Sequence, residues 1–244
     1  VDYVQIAGSA YTFDAGDKFT NSTITIEIKD DNLVEATEEF ELELSDIIAG
    51  GKNVVFSSGG ATVSGVVTIT DLDAATVSIS NEIVSEDESS MIFTVQLSDP
   101  VDETLIVTAN TADVTAVAGP TKDYTGIVNQ QIVFGAGNNS DKTVTVPIVN
   151  NSIVEATETF ELILSNITVA AGRNVTFVSG ASSTTETGIG TITDEDEASV
   201  SINDVTMNEG DAGTVTYTFD VTLNGAVDQA VTLDYATSDG TATV

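Results

Sequence analysis

The 244-residue chain contains no cysteine, no histidine and no tryptophan, and only three prolines. Without cysteine there is no disulfide, so stability must come from an apolar core or from bound metal. Without histidine, zinc sites built on imidazole and His-dependent catalytic triads are excluded. The lack of tryptophan, with aromatics at 6%, argues against the aromatic platform of a carbohydrate-binding module. Basic residues are scarce as well. Lys plus Arg number 6 against 39 Asp plus Glu, a net charge of −33. Phosphate binding needs a basic footprint, so nucleic acid is excluded as a partner. No apolar run approaches membrane-spanning length, and no direct membrane insertion is expected. So large a like-charge excess strains any compact fold unless cations cancel it. Disorder is the other outcome for an acidic, aromatic-poor chain, but a hydrophobic share of 41% opposes it.

What is present is repetition. The string VEATEEFELEL, Val34 to Leu44, returns as VEATETFELIL, Val154 to Leu164, with nine of eleven letters unchanged. Asp2-Tyr3 returns as Asp123-Tyr124, and Thr68-Ile69-Thr70-Asp71 as Thr191-Ile192-Thr193-Asp194. A return at fixed spacing marks an array of one folded unit. The phase of the matches divides the chain into the back half of a unit (1–73), a complete unit (74–197) and the front half of a third (198–244). The expectation is a slice of a longer array.

Apolar residues alternate with polar ones in Phe40-Glu41-Leu42-Glu43-Leu44, in Ile24-Thr25-Ile26-Glu27-Ile28 and in Val144-Thr145-Val146-Pro147-Ile148. Period two means strands with one wet face, and the Val/Ile/Thr content suits a pleated surface. Strands are predicted near 76–80, 90–98, 104–110, 130–134, 142–149, 158–165 and 188–193, with a weaker one at 174–178. Pro147, at an outward position, predicts an edge strand or a bulge. About seven short alternating strands in one unit predict an all-β fold of tandem immunoglobulin-like β-sandwiches. Phe134, Phe160, Phe177 and Phe219 are expected in the core.

The loop carboxylates recur at strand ends: Glu86, Asp123, Glu155 with Glu158, and Asp194 with Asp196. The first unit repeats them as Asp2, Asp30 with Asp31, Glu35 with Glu38, and Asp71 with Asp73, while Glu209 matches Glu86 in the third. Carboxylates gathered at one end of a sandwich repel unless a cation lies between them, and Ca2+ takes six to eight oxygen ligands from such loops. Glu27, Glu41 and Glu43 alternate outward along strands and form an ordinary solvated face. A glycosidase-type carboxylate pair needs a cleft and an acid of raised pKa; the sequence points to neither, and no enzymatic activity is expected.

The order of these residues resembles the Calx-beta domain, over the whole of 1–244. The resemblance implies a seven-stranded Greek-key sandwich that binds Ca2+ in loops at one end. Carried over residue by residue, it implies Glu86, Asp123, Asn151, Glu155, Glu158, Asp194 and Asp196 as ligands in the complete unit. It implies Asp2, Asp30, Asp31, Glu35, Glu38, Asp71 and Asp73 in the first, and Glu209 in the third. One departure stands out: Asn150-Asn151 replaces the acidic Asp30-Asp31. An Asn carbonyl still ligates but brings no charge, so the second site is expected to bind fewer ions or bind more weakly.

The sequence therefore predicts a calcium-binding structural repeat of a long bacterial cell-surface or secreted protein. Its role would be that of a Ca2+-rigidified extender or filament body in adhesion. The partners expected are neighbouring repeats, head to tail, in one polypeptide or between subunits. A calcium-sensing regulatory module is the alternative.

Overall fold

The computed structural model describes residues 2–16, 22–119 and 122–242. All regular elements among them are strands: β1 (Glu38–Ser45), β2 (Thr62–Ile69), β3 (Ala75–Ile79), β4 (Glu82–Ser85), β5 (Ser90–Leu97), β6 (Leu105–Asp113), β7 (Gln130–Phe134), β8 (Lys142–Pro147), β9 (Ile153–Val154), β10 (Glu158–Thr168), β11 (Val175–Phe177), β12 (Thr185–Thr193), β13 (Ser199–Ile202), β14 (Val221–Asn224) and β15 (Ala226–Val227). Among the described residues no helix is long and apolar enough to cross a membrane. The fold is all-β, as the alternation predicts.

Strands β3 to β12, leaving out β9, build one sandwich. One sheet runs β11-β3-β5-β8 and the other β4-β12-β10-β6-β7. Alternation fills the space between them: Phe93, Val95, Val107, Val144, Val146, Phe160, Leu162 and Leu164 are all fully buried, while Thr145 and Pro147 face outward. Pro147 ends β8, an edge strand, where its missing N–H costs no ladder bond. Strand β4 lies outside the predicted set. The chain crosses from one sheet to the other between β3, which pairs with β5, and β4, which runs parallel to β12. That crossing needs room. A Cβ on Gly188 would stand 2.4 Å from the Ser80 carbonyl oxygen, and one on Gly190 would stand 2.6 Å from the Phe160 ring.

The flanking segments repeat parts of this sandwich. Hairpin β1–β2 pairs Phe40 with Val67 as β10–β12 pairs Phe160 with Gly190. In the last segment, β13 pairs Val200 with Leu223 as β3 pairs Val77 with Leu97. Neither flanking hairpin has a second sheet over it among the described residues. Phe219, expected in the core, is 52% exposed, whereas its counterpart Phe93 is fully buried; among the described residues β13 and β14 form a two-stranded sheet without a facing one. Phe134, Phe160 and Phe177 are buried as expected.

Two seams join the pieces, and both use one device. Val34 of the first segment forms a parallel bridge with Val101; its N–H donates to the Pro100 carbonyl at 2.9 Å and its carbonyl accepts from Asp102 N–H at 3.1 Å. At the second seam β9 pairs in parallel with β15, Val154 opposite Val227, and the Val154 carbonyl accepts from Asp228 N–H at 3.2 Å.

Candidate metal centre

The acidic loops converge at one end of the middle sandwich, and the core fastens them there. Tyr124 follows Asp123 in the chain, and Phe160 comes two residues after Glu158. The two rings stack with centroids 4.2 Å apart. Tyr3 and Phe40 stack at 4.0 Å in the first segment, next to Asp2 and Glu38. Tyr124 turns into the core and leaves the adjacent Asp123 at the loop end, whereas Glu158 shares a strand face with Phe160 and is half-buried where that face reaches the end of the sheet.

Glu86, Asp194 and Asp196 each bring a carboxylate oxygen within 4.8 Å of the others. Asp194 organises the loops. One of its oxygens accepts from Glu155 N–H at 2.8 Å and the other from Asp196 N–H at 3.0 Å. Glu86 N–H donates to the Thr193 carbonyl at 2.9 Å. Glu86 is only 4% exposed, yet its Oε1, like Asp196 Oδ2, is buried without a hydrogen-bond partner. A buried carboxylate oxygen without a partner is costly. Burial, then repulsion from Glu195, Asp194, Asp196 and Glu155, pushes Glu86 up to about 7. Burial, then Asp123, which also shares a hydrogen bond with it, pushes Glu158 up to about 7.

The sequence pointed to no acid of raised pKa, and the structure holds two. Their causes are burial and crowding by like charges, and a cation relieves both. Oxygens on opposite sides of a Ca2+ ion stand about 4.6–5.2 Å apart, so the spacing of Glu86, Asp194 and Asp196 fits that ion. The donors are oxygens only, the set a hard cation takes.

Asn151 lies in the same cluster and has a distinct part. Its Oδ1 accepts from Ile153 N–H at 2.7 Å. Its Nδ2 donates to Glu155 Oε2 at 2.9 Å and to Glu86 Oε2 at 3.5 Å. The amide therefore sits between two carboxylates and partly stands in for a cation. In the first segment Asp31 closes the same turn, accepting from Leu33 N–H at 2.9 Å, and offers a second carboxylate oxygen where Asn151 has its amino group.

The first segment reproduces the rest of the arrangement. Glu35 N–H donates to Asp71 Oδ2 at 2.7 Å and Asp73 N–H to Asp71 Oδ1 at 3.0 Å. Burial, then Asp71, Asp30 and Asp31, raises the Asp73 carboxyl. A hydrogen bond with Asp2 leads the causes that raise Glu38. Asp2, Asp30, Asp31, Glu35, Glu38, Asp71 and Asp73 thus form one neighbourhood, as Glu86, Asp123, Asn151, Glu155, Glu158, Asp194 and Asp196 do. Glu209 is exposed, unlike its buried counterpart Glu86. Glu27, Glu41 and Glu43 are exposed, as the solvated-face reading requires.

Sequence reasoning passed over three participants. Glu195, between two chosen aspartates, accepts from Ser85 Oγ at 2.7 Å and leads the carboxylates that act on Glu86. Asp102 raises Glu35 and Glu38 across the first seam, and Asp228 raises Glu158 across the second. Their signal was the return of Val101-Asp102 as Val227-Asp228.

An all-β chain of repeated sandwiches with clustered loop carboxylates at one end is a tandem array of cation-binding modules. The Calx-beta domain model matches residues 1–73, 70–187 and 191–244, and the chain belongs to the Calx-beta family. Ca2+ is the ion of this family, and the donor set described above fits it. No curated protein matches the chain. Among solved structures, the apo-form Calx CBD1 domain is 19% identical, covering 51% of this chain and 100% of its own, with a TM-score of 0.41. The Calx CBD2 domain is 17% identical, covering 52% of this chain and 90% of its own, at 0.41. CBD12 from CALX1.2 is 20% identical, covering 50% of this chain and 44% of its own, at 0.40.

Proposed function

We propose that this chain is a calcium-stiffened spacer: a tandem segment of a long extracellular protein at a bacterial surface, holding an adhesive tip or filament body away from the cell. The observation that carries this reading is the position of the acids at the seams. Asp71 and Asp73 lead directly into β3, and Asp194 and Asp196 lead into β13, with no flexible Gly/Ser linker between. Ions held at Asp2, Asp30, Asp31, Glu35, Glu38, Asp71 and Asp73, and at Glu86, Asp123, Asn151, Glu155, Glu158, Asp194 and Asp196, would restrain the angle between neighbours. Repetition supplies length. The units run 1–73, 74–197 and 198–244, and each half-unit is completed head to tail by the complementary half of a neighbour, in the same polypeptide or an adjacent subunit. That pairing would bring Glu209 to an acidic cluster, as Glu86 is brought to its own.

Small-angle scattering of the full chain with and without Ca2+ tests the reading. A spacer becomes longer and stiffer with Ca2+. A change confined to one surface, with no change in length, would favour a calcium-sensing regulatory module instead.

A further inference from the structure

We propose that residues 198–244 of one copy seat on the open face of residues 1–73 of a second copy, with Phe219 and Tyr217 entering a hollow floored by Tyr3 and Phe40. The inference rests on the head-to-tail reading of the half-units and commits it to one occupant, a second copy of this chain.

The middle sandwich supplies the template. There the stacked rings of Tyr124 and Phe160 are capped by Phe93, edge-on to Phe160 at 5.9 Å. Met91 shares the inward face of β5 with Phe93. In the first segment the equivalent stack of Tyr3 on Phe40 borders a hollow of about 370 Å3, lined by Asp2, Tyr3, Glu38, Glu39, Phe40 and Ile69. By the register of β14 on β13, the equivalents of Phe93 and Met91 are Phe219 and Tyr217. They are 52% and 42% exposed, whereas Phe93 and Met91 are fully buried. The last segment thus carries two unhoused aromatic side chains, and the first segment a hollow of the kind that houses their equivalents.

Gly65 is a second, independent observation. It stands inside β2, opposite Leu42, where a glycine weakens a strand and marks the close approach of another backbone. Its φ is not in the left-handed region, so no turn requires it. Within one copy a Cβ at Gly65 would meet no atom within 4 Å. Its equivalent Gly188, opposite Leu162, shows what the glycine serves. A Cβ there would run into the Ser80 carbonyl, where the chain crosses from one sheet to the other. The equivalent of Ser80 is Asn203, just after β13. Gly65 is therefore shaped for a crossing that its own copy does not place over it. The contact joins two unlike surfaces, so copies add one after another.

Two variants of the full chain test this, each spoiling one side of the contact. Gly65→Val adds a side chain where the single copy has open space, so its melting temperature should be unchanged or higher. Phe219→Asp replaces an exposed ring. Sedimentation in Ca2+ and about 0.15 M salt, which screens charges beyond about 8 Å, should show the wild type growing from one copy to two and more as concentration rises. Each variant alone should stay monomeric. Mixed in equal amounts they should form dimers and nothing longer, because one intact seat and one intact insert remain. A wild type that stays monomeric where an affinity of about 1 mM would show overturns the proposal and leaves the hollow to a neighbouring stretch of the same polypeptide. A variant that still associates, or a mixture that stays monomeric, overturns it too. The spacer reading is judged separately, by scattering of dilute Gly65→Val with and without Ca2+: an unchanged length sinks that reading whichever way the association turns out.

Discussion

Replacing Glu86 by Gln should stabilise the calcium-free protein and weaken its response to calcium. Glu86 has an ordinary pKa of 4.5 and is raised to about 7. At pH near 8 the side chain is ionised both folded and unfolded, so the folded state bears the full penalty. A carboxyl raised from 4.5 to about 7 costs the folded state about 3 kcal/mol when it is ionised. Gln fills the same space without that charge, so in chelator Glu86→Gln should gain up to about this amount. For one sandwich this raises the melting temperature by about 10 °C. Calcium closes most of that gap. A wild-type site at a hundredfold excess over Kd gains about 2.7 kcal/mol, and the variant, short of a ligand, gains much less. The assay is a pair of thermal melts per protein, in chelator and in excess Ca2+. The reasoning is refuted if Glu86→Gln melts at or below the wild type in chelator, or if it keeps the full wild-type shift with Ca2+. Identical wild-type melts in the two conditions would refute it at the first step.

Two further outcomes follow from the same geometry. Asn151→Asp restores the carboxylate found at Asp31 and removes the amide between Glu86 and Glu155. It should tighten calcium binding at the middle cluster about tenfold and lower the melting temperature in chelator; unchanged calorimetry would mean that position 151 lies outside the ion's reach. The pH dependence of the calcium-free protein has a fixed sign. Glu86 and Glu158 keep their protons to about 7 when folded but release them near 4.5 when unfolded, so the folded state binds more protons in that window. Stability should therefore be greatest below about pH 4.5 as far as these groups decide it, and fall as pH rises through 7. Melts in chelator at several pH values check this, and a rise in stability across the window would contradict the pKa shifts.

The parts of the structure that depend on local period were open to sequence reasoning. Phe160-Glu161-Leu162 reads as a strand because its alternation is strong, and Asp123-Tyr124 reads as a loop acid beside a core aromatic because it recurs as Asp2-Tyr3. The features that escaped depend on long-range pairing. Glu82-Ile83-Val84-Ser85 is a strand only because β12 lies parallel to it. The role of Asn151 turns on which of its two polar atoms meets Glu86 and Glu155, which spacing does not report. Asp102 and Asp228 sit in turns that nothing in their own unit ties to a cluster, since the residues they pair with, Val34 and Val154, belong to the preceding unit.

Val34 lies in the first segment but is fully buried within the hydrophobic core that includes Val101 and the middle sandwich. A residue of one unit thus helps to fill the core of the next. Neighbouring units are then not independent beads, and unravelling one uncovers apolar surface on the other. Stability becomes a sum of unit terms and nearest-neighbour terms, as in a one-dimensional cooperative lattice. Members with neighbours on both sides hold more firmly than those at an end, and a pull along the chain is resisted by blocks of units rather than by each one alone.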